Sequence, residues 1–248
     1  MFDDDDAVTW NGDCLDLLPG IPDGSVDLVL CDLPYGTTSH GWDTRINLGA
    51  LWREYDRVLK PNGACLLFAQ CPFDKILAMS NLKNLRYEWV WEKSVATGWQ
   101  NAKRMPLKAT ENILVFYRRL PTYNPQGLRD IDPIRRKTVA SPHTRMFSSG
   151  LLGREYTRTK TGYPRNLLRF ARDPKGVHPT QKPVALLEYL IRTYTNPGDV
   201  VLDNTMGSGS TLVAARQTGR RSIGIERDES YFALAQERLA STPAFPIS

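Results

Sequence analysis

The sequence lacks the long apolar runs and the cysteine density that mark two large classes of protein. No run of about 18 apolar residues occurs, so no membrane span is predicted. The start, MFDDDDAVTW, is acidic and has no apolar core, so we predict no secretory signal. The 248 residues include four cysteines, none in a CxxC pair, which argues against a disulfide framework. Reduced thiols and a cytoplasmic location are the expectation.

Positive charge is present but concentrated in one stretch. The chain carries a formal net charge of +5, yet residues 118–175 hold 14 Lys or Arg against four acids, a net charge of +10. The rest of the chain is therefore net negative. The stretch is rich in Pro, Gly, Ser and Thr and shows no sustained periodicity, and it is too long for a plain connection. We predict an inserted functional region at 118–177, between the two parts of one domain at 1–117 and 178–248.

Strand and helix signals alternate on both sides of this region. Apolar runs bounded by turn residues predict strands, and apolar residues three or four positions apart predict helices. Before the region, the predicted strands are SVDLVLC, ACLLFA, YEWVWE and NILVFY, with helices at LGALWREYDRVL and PFDKILAMSNL. After it come the helices PVALLEYLIRTY, STLVAARQT and ESYFALAQERL and the strands DVVLD and RSIGIE. This alternation predicts an α/β fold with a doubly wound, mostly parallel sheet covered on both faces.

A glycine-rich turn follows the strand DVVLD, in the stretch VVLDNTMGSGSTLVAA. Gly207 and Gly209 allow a tight turn and a close approach of a ligand to the backbone. A phosphate-binding P-loop would need Lys after the last Gly, where Ser210 stands. A dinucleotide fingerprint would need a third Gly at the position of Leu212, and a packing turn without a ligand is a further alternative.

Two acids flank this turn and suggest another ligand. Asp203 ends the strand before the turn, and Glu226 ends the strand after the following helix. The first carboxylate can face a positively charged amino group, and the second can accept hydrogen bonds from ribose hydroxyls. S-adenosylmethionine (AdoMet) has an amino group and a ribose but no phosphate, so it matches this pattern better than a dinucleotide does.

A second stretch, CDLPYG at residues 31–36, follows the apolar run VDLVL. An Asp followed by Pro and Gly suits an ordinary Asx turn or a helix N-cap. The same residues suit the working end of an enzyme, because doubly wound sheets bind ligands at the carboxyl ends of their strands. Taken alone, the stretch leaves both interpretations open.

Together and in this order, CDLPYG and DNTMGSGST resemble the two signature motifs of amino-group DNA methyltransferases, in the order of their β class. The resemblance covers nearly the whole chain outside the basic region, through NGDCLDLLPGIPDGSVDLVLCDLPYG, WREYDRVLKPNGACLLFA, TENILVFYR, HPTQKPVALLEYLI and GRRSIGIERDESYFALAQERL. It implies the AdoMet-dependent methyltransferase fold, AdoMet as cofactor and duplex DNA as substrate. The chain departs from the family pattern at Leu33, where Pro is usual, and at Thr205, where Phe is usual.

Enzymes of this family methylate the exocyclic amine of adenine or cytosine, whose lone pair is delocalised into the ring. The resemblance implies that Asp32 accepts a hydrogen bond from this amine and that the Leu33 or Pro34 carbonyl, fixed by the Pro turn, supplies a second acceptor. The target base must leave the duplex, and Tyr35 offers a ring on which it can stack. The Asp at the start of the motif favours adenine N6. Cytosine N4 is the first alternative, and an inactive DNA-binding module is an alternative of another class.

The resemblance also implies the contacts of AdoMet. Asp13 matches the acid that accepts from the adenine amino group, with the backbone N–H of Cys14 beside it. Lys182 matches a residue near the cofactor's carboxylate. Its neighbours in the same motif are His178, Thr180 and Gln181. The glycine motif and the strand after it complete the set with Asp203, Asn204, Thr205, Gly207, Ser208, Gly209, Ser210, Thr211, Glu226 and Arg227. No His or Cys pair stands at metal-ligand spacing, so no metal is expected.

The basic region is expected to contact the DNA. Phosphate contacts supply affinity and register, whereas base-edge contacts supply specificity. GREYTRTKTGYPRN is the best candidate for a groove-facing stretch, and a second basic stretch, GWQNAKRMPLK, is expected as a loop over the target base. The candidate DNA-binding residues are Lys103, Arg104, Arg145, Arg154, Arg158, Lys160 and Arg165. The β class commonly forms dimers, so a homodimer is a further expectation; a membrane partner is not.

Overall fold

The computed structural model describes residues 2, 6–35, 46–137, 155–173 and 181–245. By its internal contacts the chain divides into a larger unit, Met1–Asn124 with Asn166–Ser248, and a smaller unit, Pro125–Arg165. Within the described ranges, none of the helices is both long enough and apolar enough to cross a membrane.

The larger unit is built on a sheet of eight strands. In chain order the strands of the protein are β1 (Ala7–Asn11), β2 (Val26–Asp32), β3 (Leu59–Ala69), β4 (Leu85–Thr97), β5 (Lys108–Phe116), β6 (Arg129–Lys137), β7 (Glu155–Thr161), β8 (Leu167–Phe170), β9 (Val200–Asp203) and β10 (Arg221–Glu226). The eight strands lie in the order β1-β10-β9-β2-β3-β5-β4-β8. Neighbours from β1 to β3 are parallel, as are β4 and β8, whereas β5 is antiparallel to both β3 and β4. The predicted doubly wound, mostly parallel sheet is confirmed.

The α-helices cover both faces of this sheet. They are α1 (Cys14–Leu17), α2 (Leu48–Val58), α3 (Phe73–Ser80), α4 (Val184–Tyr194), α5 (Ser210–Gln217) and α6 (Glu229–Ser241), and short 3-10 turns occur at Leu18–Gly20 and Trp99–Asn101. The helices predicted from apolar periodicity are α2 to α6. Side-chain caps fix two of the starts, because Asn47 accepts from the N–H of Ala50 and Asp228 accepts from two N–H groups of the first turn of α6.

The central strands are buried on both sides, as parallel strands between helical layers must be. In β2, Val29 and Cys31 pack in a core shared with α1, α2 and α3, while Leu28 and Leu30 pack in a core shared with α4 and α5. Each fully buried Leu or Val contributes about 1.5–3 kcal/mol relative to an exposed one. These strands therefore hold their carboxyl ends rigidly.

The antiparallel direction of β5 follows from the short loop that connects it to β4. Only the loop of residues 98–107 separates β4 from β5. A return in the parallel direction would require a crossover of a dozen or more residues, so the two strands pair as a hairpin. β5 then inserts between β3 and β4.

The smaller unit contains the antiparallel pair β6 and β7. Nearly all residues of both strands are exposed, which explains why their sequences lack the alternation that would have predicted strands. Gly162 has a φ of +81°, and a Cβ there would lie 2.4 Å from the carbonyl oxygen of Gly127, so the turn requires glycine. Strand β8, also within 118–177, instead pairs with β4 in the main sheet, so the compact unit is shorter than the predicted insertion.

Candidate active site

The carboxyl ends of β2, β9 and β10 lie at one edge of the sheet. The chain leaves β2 towards β3 and leaves β9 in the opposite direction, towards β10, so the switch point of the fold lies between β2 and β9. Doubly wound sheets bind ligands at this place. A cavity of about 530 Å³ opens here. The predicted residues that line it are Asp13, Cys14, Asp32, Leu33, Pro34, Tyr35, Gln181, Lys182, Asp203, Asn204, Thr205, Gly207, Ser208, Ser210, Thr211, Glu226 and Arg227.

Direct hydrogen bonds join the two motifs. The Thr205 hydroxyl donates to the backbone carbonyl of Asp32 at 3.1 Å. Deeper in the core, the side-chain oxygen of Asn204 accepts from the Tyr55 hydroxyl at 2.6 Å and from the thiol of Cys31 at 3.0 Å. Thr205, which replaces the usual aromatic residue, thus fixes the backbone at the start of the Pro turn.

Asp203 is a buried acid at the end of β9. It is 4% exposed, and its Oδ1 accepts from the backbone N–H of Thr205 at 3.1 Å. Burial raises the pKa of Asp203 to about 7, although the Thr211 hydroxyl and the Thr205 N–H oppose this shift. A positively charged group entering the cavity would stabilise the ionised form, so Asp203 is suited to bind a cation.

The Glu226 carboxylate is hydrogen-bonded to the glycine turn. The N–H of Gly207 donates to Glu226 Oε2 at 2.9 Å, and the N–H of Asp228 donates to Oε1 at 2.8 Å. These bonds fix the carboxylate at the cavity wall. Gly209 acts through its backbone: its φ is +77°, and a Cβ there would lie 2.9 Å from the Cβ of Ala235 on α6.

Asp13 lies at the next position along the same edge. Its carboxylate caps α1 by accepting from the N–H of Leu15 at 2.8 Å. The N–H of Gly12 donates to the backbone carbonyl of Glu226 at 3.0 Å, which ties the end of β1 to the end of β10. Asp13, Cys14 and Glu226 thereby share one wall of the cavity.

Asp32, the last residue of β2, lies in a cluster of charged side chains. Its Oδ1 accepts from the Tyr35 hydroxyl at 2.8 Å, and its Oδ2 accepts from the Lys182 ammonium. Lys182 also contacts Glu111 Oε1 at 2.9 Å. The structure therefore places Lys182, predicted near a cofactor carboxylate, directly against Asp32.

Glu111 was not predicted from the sequence as a site residue. It lies on β5 with a side chain 3% exposed, and Lys93 of β4, 5% exposed, contacts its Oε2 at 2.8 Å. Gln70 donates to the same oxygen at 3.0 Å, and the Tyr35 hydroxyl lies 2.9 Å from Oε1. The available signal was the charge of Glu111 directly before the apolar run of β5, because a charged side chain is rarely buried without partners.

These contacts determine the charges in the cluster. Burial raises the pKa of Asp32, Lys182 opposes that shift and Glu111 adds to it. Burial would also raise the pKa of Glu111, but Lys182 and Lys93 outweigh it and lower that pKa to about 2. Burial opposes the charge of Lys182, yet the two acids outweigh it and raise the pKa of Lys182. Glu111 and Lys182 are therefore charged at neutral pH, while Asp32 is the member most easily protonated.

The predicted DNA-binding residues within the described ranges are exposed. Lys103 and Arg104 lie in the loop between β4 and β5, which also contains Trp99, whose side chain is 66% exposed. In the smaller unit, Lys160 pairs with Asp130 at 2.7 Å. Arg158 and Arg165 are also exposed there. Arg145, Arg154, His178 and Thr180 lie outside the described residues.

A family profile and a curated relative match the sequence of this chain. Residues 26–237 match the profile of a family described as DNA methylase, of the N6/N4 type. The protein YubD of Escherichia coli K12 is 56% identical over 64 residues, which is 26% of this chain and 28% of YubD. The chain thus matches little more than a quarter of the length of that curated relative.

Solved structures share the fold over most of the chain. The M1.HpyAVI–SAM complex has a TM-score of 0.64 at 24% identity, covering 94% of this chain and 100% of that chain. The PvuII DNA methyltransferase, cytosine-N4-specific, has a TM-score of 0.68 at 19% identity, covering 94% and 86%. TTHA0409 of Thermus thermophilus, complexed with S-adenosyl-L-methionine, has a TM-score of 0.63 at 24% identity, covering 96% and 95%. With the family profile spanning most of its length, the chain belongs to the N6-adenine and N4-cytosine DNA methylase family.

Proposed function

We propose that this protein transfers a methyl group from AdoMet to the N6 amine of adenine in duplex DNA. The observation that carries the proposal is a single cavity that holds an acceptor for an amine, Asp32, beside a glycine turn flanked by two acids, Asp203 and Glu226. Family membership and the AdoMet complexes of two structural relatives support the same reaction class.

Three acids around the glycine turn fit the chemical groups of AdoMet. Asp203 would hold its ammonium group, Glu226 its ribose hydroxyls and Asp13 the amino group of its adenine. When bound, AdoMet supplies a methyl group activated by the neighbouring positive sulfur. These three carboxylates line the wall formed by β1, β9 and β10, so one ligand can contact all of them.

The other part of the cavity fits a flipped base. Tyr35 is held by its hydroxyl and by stacking on Phe73, with ring centroids 5.1 Å apart. A ring fixed in this way is a rigid platform, and base–aromatic stacking is worth about 1–3 kcal/mol. Asp32 and the carbonyls of the Pro turn would accept from the exocyclic amine. This increases the nucleophilicity of the amine and places it in line with the methyl group.

The choice of base is tested by product analysis. Purified protein is incubated with tritiated AdoMet and an amplified, methyl-free duplex library of random sequence, and the DNA is digested to nucleosides. We expect the label in N6-methyladenine, because the motif begins with Asp32. Label in N4-methylcytosine alone would contradict the adenine assignment and favour the activity of the PvuII relative. No label with any DNA would favour an inactive DNA-binding module.

We propose that the loop of Lys103 and Arg104, together with the basic region 118–177, binds the DNA backbone. Each phosphate contact makes the negative slope of log affinity against log salt steeper by about 0.9. Changing both Lys103 and Arg104 to alanine should therefore weaken binding at low salt and reduce the slope by about two. Fluorescence anisotropy of a labelled duplex between about 50 and 200 mM salt measures this.

The matched control for this loop is the double change of Arg53 and Lys83 to alanine. Both side chains are exposed, and neither lines the cavity. The control should keep the wild-type slope. An equal loss of slope in both variants would show that the loop acts only through net charge.

Dimer formation stays a prediction, which sedimentation velocity of the purified chain checks.

A further inference from the structure

Glu111 is a buried acid to which the reaction described above assigns no role. Its Oε1 contacts Lys182 and the Tyr35 hydroxyl, each at 2.9 Å, and its Oε2 contacts Lys93 and Gln70. Apolar residues of similar volume would stabilise the fold at least as well as two buried ion pairs do. The arrangement therefore points to a functional role beside Asp32.

The Tyr35 hydroxyl shows what that role is. It carries one proton, yet it lies 2.8 Å from Asp32 Oδ1 and 2.9 Å from Glu111 Oε1. With both acids ionised, the hydroxyl can donate to only one of them. With Asp32 protonated, Asp32 donates to the Tyr35 oxygen and Tyr35 donates to Glu111. Both contacts are then hydrogen bonds, so Tyr35 and Glu111 keep the Asp32 side chain in place when it carries a proton.

We propose that Glu111 is a positioning residue of the methyl transfer, acting through Tyr35 and Lys182 to hold Asp32 where it receives the proton released by the target amine. The proposal rests on the proposed function, because it concerns the same cavity. In the balanced step, the amine lone pair forms the new bond to the methyl carbon, and the carbon–sulfur bond breaks with its electron pair left on sulfur. The amine then loses its extra proton to Asp32, which later releases it to solvent.

Charges from several elements of the fold act on Asp32. Lys182, which precedes α4, and the donating hydroxyl of Tyr35 favour its ionised form, whereas Glu111 on β5 favours the protonated form. Asp203 on β9 is a further acid that is electrostatically coupled to Asp32. Lys93 balances the charge of Glu111, so Asp32, Glu111, Lys93 and Lys182 together carry no net charge when all are ionised.

The test is the variant Glu111→Gln, measured by single-turnover methyl transfer across pH. We expect the rate to fall about 10²-fold, the loss typical of a reacting group misplaced by about an ångström. AdoMet affinity should change less than about threefold, since the cofactor contacts lie on other strands. The acidic limb of the pH profile should move to lower pH, because Asp32 loses a negative neighbour. A merely structural role would not move this limb.

Two further variants separate function from folding. Glu92→Gln is the matched control, because Glu92 lies on β4, pairs with Arg169 at 2.7 Å and does not line the cavity. It should keep the wild-type rate and limb. Glu111→Gln leaves Lys93 buried without its acid, so the double variant with Lys93→Met removes that charge too. We expect the double variant to regain thermal stability while retaining the slow rate and the shifted limb.

Tyr35→Phe provides a readout of opposite sign. It removes a donor that stabilises ionised Asp32, so its acidic limb should move to higher pH. Unchanged limbs in Glu111→Gln and Tyr35→Phe, with rates that follow the folded fraction, would overturn the inference. No label from the wild-type protein would overturn the proposed function and this inference with it, whereas an active wild type with unmoved limbs overturns the inference alone.

Discussion

Replacing Asp32 by alanine should abolish methyl transfer to DNA while AdoMet still binds within about tenfold of the wild-type affinity. The carboxylate of Asp32 lies with Tyr35, Lys182 and Glu111, whereas the acids proposed to hold the cofactor lie on β9, on β10 and at the start of α1. Loss of the acceptor removes both the polarisation of the amine and the site for its proton. A rate at least about 10³-fold lower is expected, measured by tritium transfer, with affinity measured by calorimetry.

The control for this prediction is Asp56→Ala, which removes a half-exposed acid of α2 that does not line the cavity. Its methyl transfer should match that of the wild type. Asp32→Ala leaves Lys182 paired with Glu111, so we expect it to fold, which circular dichroism during heating confirms or refutes. If Asp32→Ala folded but lost AdoMet binding as completely as it lost turnover, Asp32 would be a cofactor contact and not the acceptor of the amine.

The sequence was sufficient to predict the parts of the fold and site that local signals determine. Apolar runs such as VDLVL and DVVLD predict buried strands, and parallel pairing then brings their carboxyl ends to one edge. Asp32 and Asp203 end these strands, so their shared position at the cavity follows from the topology alone. The glycine turn is equally local, because Gly207 and Gly209 both have positive φ.

The charged cluster could not be predicted in the same way, because its members meet only through long-range pairing. Asp32, Glu111 and Lys182 come from separate parts of the chain, and their contact depends on β5 entering the sheet antiparallel beside β3. Nothing local to HPTQKP shows that its lysine faces Asp32. The charge of Glu111, directly before NILVFY, was visible in the sequence, but its partners were not.

The second large prediction concerns Asp203 and the pH dependence of AdoMet binding. Because burial raises its pKa to about 7, much of Asp203 is neutral just below neutral pH in the free protein. The proposed ammonium partner favours the ionised form, so binding lowers this pKa. AdoMet should therefore bind most tightly above pH 7, and its affinity should fall by up to about tenfold per pH unit as the pH drops below 7.

Asp203→Asn should remove both the charge and this pH dependence. Leaving an ammonium group unpaired in a buried site costs about 2–5 kcal/mol, so we expect the affinity for AdoMet at pH 7.5 to fall at least about 30-fold. Titration calorimetry between about pH 5.5 and 7.5 measures both effects. Asp199→Asn is the matched control, because Asp199 precedes β9 at the end away from the cavity and caps a turn through the N–H of Asn196. A wild-type affinity that stayed constant across this range, or that fell equally in Asp203→Asn, would show that Asp203 does not bind the ammonium group.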